Sequence, residues 1–293
     1  MFSVSTTTWN SIDLIGIFLA HYRKLGFERL LVMDFDSTDG TRDILNSQEW
    51  RGLVELVPFP GIALLDSSNI MLSILRSTCE SFDWCLFCDP DELLVTPTMS
   101  IQDPALREQC ADAESASIPR FNVTAPLSVA RCDEQRLTAV DAITLRIDRR
   151  HSRSRKEREK WKEALHPPWI FTAIPGKVLV QPRTAIAVGE GDHSVRTLHA
   201  KSVAAPDGVY LLHYPFRRYS AFRDKIELAR IGFDLNPHLS QDHGWQVRRW
   251  VKLANSDRLY EEYLQQFVAD EDVPQFVSHG SLFRDGIVRR FHR

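Results

Sequence analysis

The first half of the sequence alternates short apolar segments with segments whose apolar residues recur every three or four positions. The helical spacing predicts amphipathic helices over about 11–25 and 70–82, and continuous apolar runs predict strands at 29–33, 53–58 and 84–88. Strands that alternate with helices are typical of an α/β protein with a mainly parallel, doubly wound sheet. Ligands of such sheets bind beyond the carboxyl ends of the strands, so the residues that follow each strand are the first candidates for function.

The second half of the sequence is less regular. A strand is predicted over Ser115–Val123 and another over Lys177–Gln181, and helical spacing returns at 219–229 and 259–267. We see no internal repeat or low-complexity linker, so we predict one domain with helical additions toward the C-terminal end rather than two separate domains. The basic segment 149–165 is interpreted as a solvated surface segment, with an acceptor or phosphate contact as the alternative.

The charge balance and the cysteine content narrow the class of protein. Lysine plus arginine total 36 and aspartate plus glutamate total 39, a net charge of -3 that excludes a general nucleic-acid binder. No apolar run approaches the roughly 18 residues of a membrane helix, and the first residues lack the pattern of a signal peptide. Five cysteines, an odd count, then predict reduced thiols and a cytoplasmic location. Cys85 and Cys88 form a CxxC pair, which we interpret as buried core thiols, with zinc or redox chemistry as the alternative.

A cluster of carboxylates follows the apolar run at 84–88. Asp89, Asp91 and Glu92 lie within four residues, and Pro90 restricts the backbone between the two aspartates. A divalent cation would offset the electrostatic cost of this crowding, and carboxylate oxygens suit Mg²⁺ or Mn²⁺. The segment predicts a metal site at Asp89 and Asp91. A solvated acidic turn with helix caps is the alternative.

A second polar segment follows the apolar strand predicted at 29–33. Asp34 stands at the strand end, where its carboxylate can accept hydrogen bonds from a nucleobase or ribose, and Asp36 and Asp39 follow in the same turn. Gly40 allows the backbone to turn, and Asp39 can instead cap the helix that starts there. Asn10 takes the corresponding place after the first predicted strand.

A third segment lies late in the chain. His213 ends an apolar run and can supply an imidazole ligand to a metal, while Arg217 and Lys225 can hold phosphates. A core histidine followed by a surface helix is the alternative for this segment.

Taken in this order, the three segments resemble family 2-like glycosyltransferases of the GT-A fold, and more narrowly a bacterial branch of that family. The resemblance spans about 9–230. The residues that carry it are Asn10, Phe18–Tyr22, Leu25–Gly26, Asp34, Ser37, Asp39–Thr41, Asp89–Glu92, Pro119–Asn122, Lys177, His213–Tyr214 and Lys225. Ser11 and Phe35 depart from the pattern at the place of the nucleoside.

The resemblance implies transfer of a sugar from a nucleotide sugar, with a UDP-sugar as the first candidate, to the hydroxyl of a glycan or lipid-linked acceptor. Asp89 and Asp91 would bind Mn²⁺ or Mg²⁺, with His213 as the third ligand. The nucleotide would contact Asn10, Asp34, Asp36 and Asp39, and also Asp89. The expected setting is bacterial surface glycan synthesis, in the cytoplasm or at the inner face of the membrane.

The resemblance also suggests a division of the chain. A GT-A-like catalytic domain would cover 1–235, with a nucleotide-binding part over about 1–125 and an acceptor side over about 126–235. A helical extension would occupy 236–293.

The chemistry of such a transfer requires charge stabilisation and a base. The departing nucleoside diphosphate needs cations near its phosphates, and inversion at the anomeric carbon needs a carboxylate that takes the acceptor proton. Asp192 is the first candidate for the base, ahead of Glu190 and His193 in the same glycine-flanked loop, with a polar turn as the alternative. The candidate cations are Arg120, Lys177, Arg217 and Lys225.

Three other interpretations stay open on the sequence. A metal-dependent nucleotidyltransferase would share the sheet and the acidic cluster, but we find no glycine-rich phosphate loop. A catalytically decayed GT-A-like binding protein would explain Ser11 and Phe35. The basic and apolar segment 283–293 could contact an anionic membrane peripherally, or could be a frayed tail.

Overall fold

The computed structural model describes residues 1–58, 66–80, 83–131, 143–148, 161, 164–238, 244–287 and 291. The described residues form two compact units. The first comprises Met1–Arg120 and Pro175–Leu212, and the second comprises Phe121–Ile174 and His213–Phe291. Within the described ranges, no helix has the length and apolar character needed to cross a membrane.

The described strands and helices are numbered in chain order. The strands are β1 (Phe2–Thr8), β2 (Arg29–Asp34), β3 (Val54–Pro58), β4 (Trp84–Phe87), β5 (Glu92–Val95), β6 (Ser115–Ile118), β7 (Arg120–Thr124), β8 (Leu145–Ile147), β9 (Lys177–Val180), β10 (Ala185–Val188), β11 (Val195–Thr197), β12 (Ser202–Ala204), β13 (Tyr210–His213) and β14 (Leu282–Arg284). The helices are α1 (Ile15–Leu25), α2 (Thr41–Leu45), α3 (Ser67–Thr78), α4 (Pro104–Cys110), α5 (Leu127–Arg131), α6 (Tyr219–Leu235), α7 (Trp245–Ala254), α8 (Leu259–Leu264) and α9 (Val273–Ser278).

The first unit is built on a seven-stranded sheet with the order β12-β6-β9-β4-β1-β2-β3. Strand β1 pairs in parallel with both β2 and β4, and the pairs β2/β3 and β6/β12 are also parallel. Strand β9 lies antiparallel between β4 and β6. The predicted α/β class with a mainly parallel sheet and helices toward the C-terminal end is therefore confirmed.

The strand order places a topological switch point beside β1. The chain proceeds from β1 to β2 and β3 on one side, then returns to β4 on the other side. In open α/β sheets, the crevice at the carboxyl ends of two such strands is the usual ligand site. Here those ends lead into Asn10 after β1 and Asp89 after β4.

The sheet core confirms the interpretation of the CxxC pair as buried thiols. Cys85 packs with Leu31, Leu75 and Val180 in one apolar cluster, and burial raises the pKa of its thiol. Burial likewise raises the pKa of Cys88, whose sulfur lies 3.3 Å from the Tyr22 hydroxyl. Cys132 lies outside the described residues.

The single strand predicted over Ser115–Val123 is wrong in one respect. The structure has two strands, β6 and β7, with Pro119 between them. Proline has no N–H to donate to a ladder, and the Pro119 carbonyl instead accepts a hydrogen bond of 2.8 Å from the Leu211 N–H. Apolar character alone does not reveal this break.

The second unit combines a small antiparallel sheet with helices. Strand β8 pairs with β7 and with β14, so the start of the segment 283–293 is part of a strand in the described structure. Membrane contact by this segment stays a prediction, and residues 288–290 and 292–293 lie outside the described ranges. Most of the basic segment, 149–160 and 162–163, lies outside them as well.

Candidate active site

Asn10 links the loops that follow β1 and β2. Its side-chain Oδ1 accepts a hydrogen bond of 2.9 Å from the Thr38 N–H, and its own N–H donates to Ser37 Oγ at 2.9 Å. The backbone of Asn10 is left-handed, with φ of 46°, a conformation that asparagine tolerates better than most residues. Its predicted nucleoside contact stays a prediction.

Asp34 ends β2 and is fully buried. One of its carboxylate oxygens accepts hydrogen bonds from Arg42, from Nε at 2.7 Å and Nη2 at 2.5 Å, and the Ser37 N–H donates at 3.2 Å. Arg42 also pairs with the exposed Asp36 at 3.0 Å. Asp34 thus organises the turn, and the sequence interpretation missed Arg42 as its partner. The nucleotide roles of Asp34 and Asp36 stay predictions.

Asp39 fixes the start of α2. Its Oδ1 accepts the Thr41 N–H at 2.9 Å and its Oδ2 accepts the Ile12 N–H at 2.9 Å. Between Asp39 and Thr41, Gly40 has φ of 99°, and a Cβ there would lie 2.9 Å from Ile12 Cδ1. This geometry agrees with the capping interpretation of Asp39, and its nucleotide contact stays a prediction.

The turn after β4 is held by a fully buried carboxylate. Glu92 accepts the Asp89 N–H at 2.9 Å through Oε2, and Arg120 Nη1 donates to Glu92 Oε1. Arg120 is itself buried and donates through Nε to the Pro175 carbonyl at 3.0 Å. Burial raises the pKa of Glu92 to about 7, although Lys177 and Arg120 act in the opposite direction. Glu92 therefore fixes the backbone from which Asp89 projects.

Lys177 joins this turn to the glycine-flanked loop. Its ammonium donates to Asp89 Oδ2 at 2.9 Å and to the Gly191 carbonyl at 2.9 Å, and it lies 3.5 Å from Asp192 Oδ2. Burial disfavours the ammonium, but Asp89 and Glu92 outweigh burial and place the pKa of Lys177 above its ordinary value. These contacts make Lys177 a positioning residue for two carboxylates. Its phosphate contact stays a prediction.

The three candidates for the base differ in their surroundings. Asp192 accepts a hydrogen bond of 2.5 Å from Ser68 Oγ, and burial raises the pKa of its carboxyl group while Lys177 lowers it. Glu190 is exposed. His193 Nδ1 lies 2.9 Å from the Gly176 carbonyl, and burial lowers the pKa of its imidazole to about 4. Of these three residues, only Asp192 is both shielded from solvent and close to Lys177, the cation that pairs with Asp89.

The carboxylates after β4 suit a hard divalent cation. Asp91 is 5% exposed, and its carboxylate offers an oxygen within 4.8 Å of one from Glu92. The Asp89 side chain is 45% exposed, so it is open to a ligand. Oxygen donors of this kind fit Mg²⁺ or Mn²⁺. The individual ligand assignments stay predictions.

His213, the predicted third ligand, begins the second unit and ends β13. Its Nδ1 lies 2.7 Å from Asn122 Oδ1, and the Asn122 amide donates to the Ile170 carbonyl at 2.8 Å. Because Asn122 Oδ1 can only accept, Nδ1 of His213 carries the proton, and in the neutral imidazole the lone pair is then on Nε2. A histidine prepared in this way suits metal binding through Nε2.

The remaining predicted phosphate contacts, Arg217 and Lys225, also belong to the second unit. Arg217 Nη1 donates to the Tyr214 carbonyl at 3.1 Å, and Lys225 is exposed on α6. Both phosphate roles stay predictions.

No family model matches the sequence, and no curated protein matches it. Among solved structures, the chain is similar to S. aureus TarS, with 16% identity and a TM-score of 0.42 over 94% of this chain and 47% of that chain. A structure of TarS 1-349 in complex with UDP-GlcNAc gives 15% identity and a TM-score of 0.42, over 94% and 78%. The chain spans about half the length of the first TarS structure. At TM-scores below 0.5, this likeness establishes neither a family nor an activity.

Proposed function

We propose that this chain is a metal-dependent glycosyltransferase that moves a sugar from a nucleotide sugar to an acceptor hydroxyl. The observation that carries the proposal is the position of Lys177, whose ammonium lies between Asp89 and the loop of Asp192. A donor-side carboxylate and a base candidate thereby share one buried cation beside the switch point of the sheet. The resemblance in sequence supports the same chemistry.

The donor side is assigned to the loops after β1, β2 and β4. Asn10, Asp34, Asp36 and Asp39 would orient the nucleoside, because they shape or project from the turns at the carboxyl ends of β1 and β2. Asp89 and Asp91 would hold Mn²⁺ or Mg²⁺, with His213 as the third ligand. When bound, the ion supplies positive charge that stabilises the departing diphosphate. Glu92 and Arg120 keep the Asp89 backbone in place.

The acceptor side is assigned to the loop of Asp192. Burial raises the pKa of Asp192, which makes its carboxylate a stronger base toward an acceptor hydroxyl than an ordinary aspartate. Ser68 and Lys177 restrict the orientation of Asp192 through contacts to its two oxygens. Arg217 would add charge stabilisation at the phosphates. The acceptor is proposed to be a glycan or a lipid-linked sugar of the bacterial surface.

The proposal is tested by a screen of nucleotide sugars, with UDP-sugars first, measured as donor hydrolysis and thermal shift with and without Mn²⁺. We expect metal-dependent turnover of at least one donor. Asp89→Asn and Asp91→Asn should each lower turnover by about 100-fold or more, since each removes a charged ligand. Asp112→Asn, at an exposed aspartate, is the matched control and should retain turnover. Full turnover in both ligand variants contradicts the metal assignment.

Two alternatives give different results in the same screen. A decayed GT-A-like binding protein would bind a nucleoside diphosphate with metal but hydrolyse no donor. A nucleotidyltransferase would hydrolyse no donor in the screen, and would release pyrophosphate when it is supplied with a nucleoside triphosphate and a sugar phosphate instead. Either outcome would replace the transferase proposal.

A further inference from the structure

The second unit contains a cavity of about 240 Å³. Its apolar walls include Trp169, Phe216, Phe222 and Trp250, and Lys225 is among the residues that line it. Trp169, Phe216 and Phe222 are each 3% exposed or less. The volume is of the order of one sugar ring and lies just below the usual range of pockets for drug-sized ligands.

The aromatic walls form one packed group. The ring of Trp250 lies edge-to-face against Trp169 at 6.2 Å, Phe216 at 5.9 Å and Phe222 at 5.2 Å between centroids. Edge-to-face contacts of this kind each add stabilisation beyond simple burial. The walls of the cavity are therefore fixed before any ligand arrives.

A buried carboxylate accepts hydrogen bonds from the N–H groups of the two indoles. Glu262 is fully buried, and its Oε1 accepts hydrogen bonds from Trp169 Nε1 at 2.6 Å and from Trp250 Nε1 at 3.1 Å. Its Oε2 lies 2.9 Å from His166 Nδ1. Because the N–H is the one donor of an indole, these rings present hydrocarbon surface to the cavity. Glu262 is thus a positioning residue for the walls.

Most polar residues of the lining, such as Asn122, Thr172 and Gln246, are neutral, and the charged side chain among the described lining residues is a lysine. Lys225 contributes a positive charge, and His213 contributes an imidazole whose Nδ1 is directed at Asn122. Within the described part of the chain, no carboxylate is among the lining residues. A ligand that matches this lining has an apolar ring face, hydrogen-bonding groups at its edge and a negative charge.

We propose that this cavity binds a pyranose ring that carries an anionic group, with the ring face against the aromatic walls and the anion near Lys225. This inference rests on the proposed function in one respect, since it assigns the ring to the acceptor rather than to the donor. Carboxylate and phosphate share the required charge. A uronic acid and a sugar phosphate are therefore the two test ligands.

The test measures binding by quenching of tryptophan fluorescence and by ligand-induced thermal shift in the full chain. The probes are methyl β-glucuronide, glucose 6-phosphate and methyl β-glucoside. We expect at least one anionic probe to bind about threefold or more tightly than the neutral glucoside, because of the charge on Lys225. Lys225→Gln should abolish this preference, so that the anionic probes bind no more tightly than the neutral glucoside.

A second pair of variants tests the cavity itself. Val247→Phe places a larger side chain into the lining and should weaken binding of every probe by tenfold or more. Val251→Phe, one turn further along α7 and absent from the lining, should bind the probes as the wild type does. Equal binding by the Val247 variant, or no binding of any probe to the wild type, overturns the proposal.

Competition with UDP separates this inference from the proposed function. We expect UDP with Mn²⁺ to leave probe binding intact. Displacement of the probe by UDP would assign the cavity to the donor and overturn the acceptor assignment. If the probes bind while no nucleotide binds at all, the proposed transferase fails and the sugar cavity stands.

Discussion

Glu92 and Glu262 are both fully buried, yet the two units neutralise them differently. Glu92 is surrounded by other charges: the Arg120 guanidinium donates to it, and the Lys177 ammonium lies 3.6 Å away. Glu262 accepts from two neutral indole N–H groups, and His166 Nδ1 at 2.9 Å and Arg249 at 3.4 Å complete its surroundings. The charges around Glu92 lie at the ends of strands, where a charged ligand can interact with them. Glu262 uses its one charge to fix apolar walls.

The largest expected effect tests whether the charged cluster performs chemistry. Asp192→Asn removes the proton acceptor and should lower kcat by about 10²–10⁴-fold with donor binding preserved. The exposed alternative, Glu190→Gln, should retain most of the turnover. Steady-state kinetics on both variants decide between them, and a larger loss in the Glu190 variant would reverse the assignment.

The next effect tests whether Lys177 holds the cluster together. Lys177→Met leaves Asp89 and Asp192 without their shared cation and should cost about 3–5 kcal/mol of unfolding free energy. Mn²⁺ should restore part of that loss, because it neutralises the same carboxylates. Urea unfolding with and without Mn²⁺ measures both effects, with Lys201→Met, at an exposed lysine, as the control.

A stability loss in Lys177→Met no larger than in Lys201→Met would show that the cluster does not depend on the buried ammonium. A loss of unfolding free energy that Mn²⁺ does not partly restore would show that Lys177 and the metal ion do not neutralise the same carboxylates.

A smaller effect tests the contacts of Glu262 in the second unit. Glu262→Gln keeps an oxygen for the two indoles but loses the charge facing His166 and Arg249, and should cost about 1–3 kcal/mol of unfolding free energy. Glu261→Gln changes a neighbouring carboxylate that is 62% exposed, and should stay within about 0.5 kcal/mol of the wild type. Thermal and urea unfolding compare the two, and equal costs would contradict the role of Glu262.

The smallest effect is a pH dependence at His193. Burial lowers the pKa of this imidazole to about 4, below its ordinary value of about 6.5. As pH falls, the unfolded chain therefore binds a proton at this imidazole before the folded chain does. The free energy of unfolding is thus unaffected by His193 above about pH 6.5 and decreases between about pH 6.5 and pH 4. His193→Asn should flatten this part of the stability curve, measured by urea midpoints at pH 7 and pH 5. Exposed His238 provides the control variant, and an unchanged slope in His193→Asn would contradict the prediction.

The strand ends were predictable because local sequence determines them. An apolar run that stops at Asp89 or Asp34 marks a strand end whatever the rest of the chain does, and the parallel sheet then brings its carboxyl ends to one edge. The turns that contain Asn10 and Asp39 were predictable for the same reason, because asparagine and aspartate side chains form hydrogen bonds with nearby backbone groups. Pro119 also indicated a break between two strands, but the prediction followed the apolar pattern on both sides of it and gave a single strand.

The partners of the buried charges were not predictable in this way. Lys177 is 88 residues from Asp89 in the chain, and Trp169 is 93 residues from Glu262. A lysine and a glutamate look equally solvated in a sequence until the fold determines which side chains surround them. Lys177, a basic residue predicted to contact phosphate, is also an internal counterion of Asp89 and Asp192, and the sequence did not reveal that second role.

The position of Lys177 among the carboxylates affects which cations this cluster prefers. In the cluster of described residues, the carboxylates of Asp89, Asp91, Glu92 and Asp192 face the cations Lys177 and Arg120, so the formal charge is -2 when all are ionised. Because burial raises the pKa of Glu92 to about 7, this sum applies above that pH, where one divalent ion brings it to zero and one monovalent ion does not. Electroneutrality thus favours Mn²⁺ or Mg²⁺ over Na⁺ or K⁺ at the carboxyl end of β4, independently of any preference in coordination geometry.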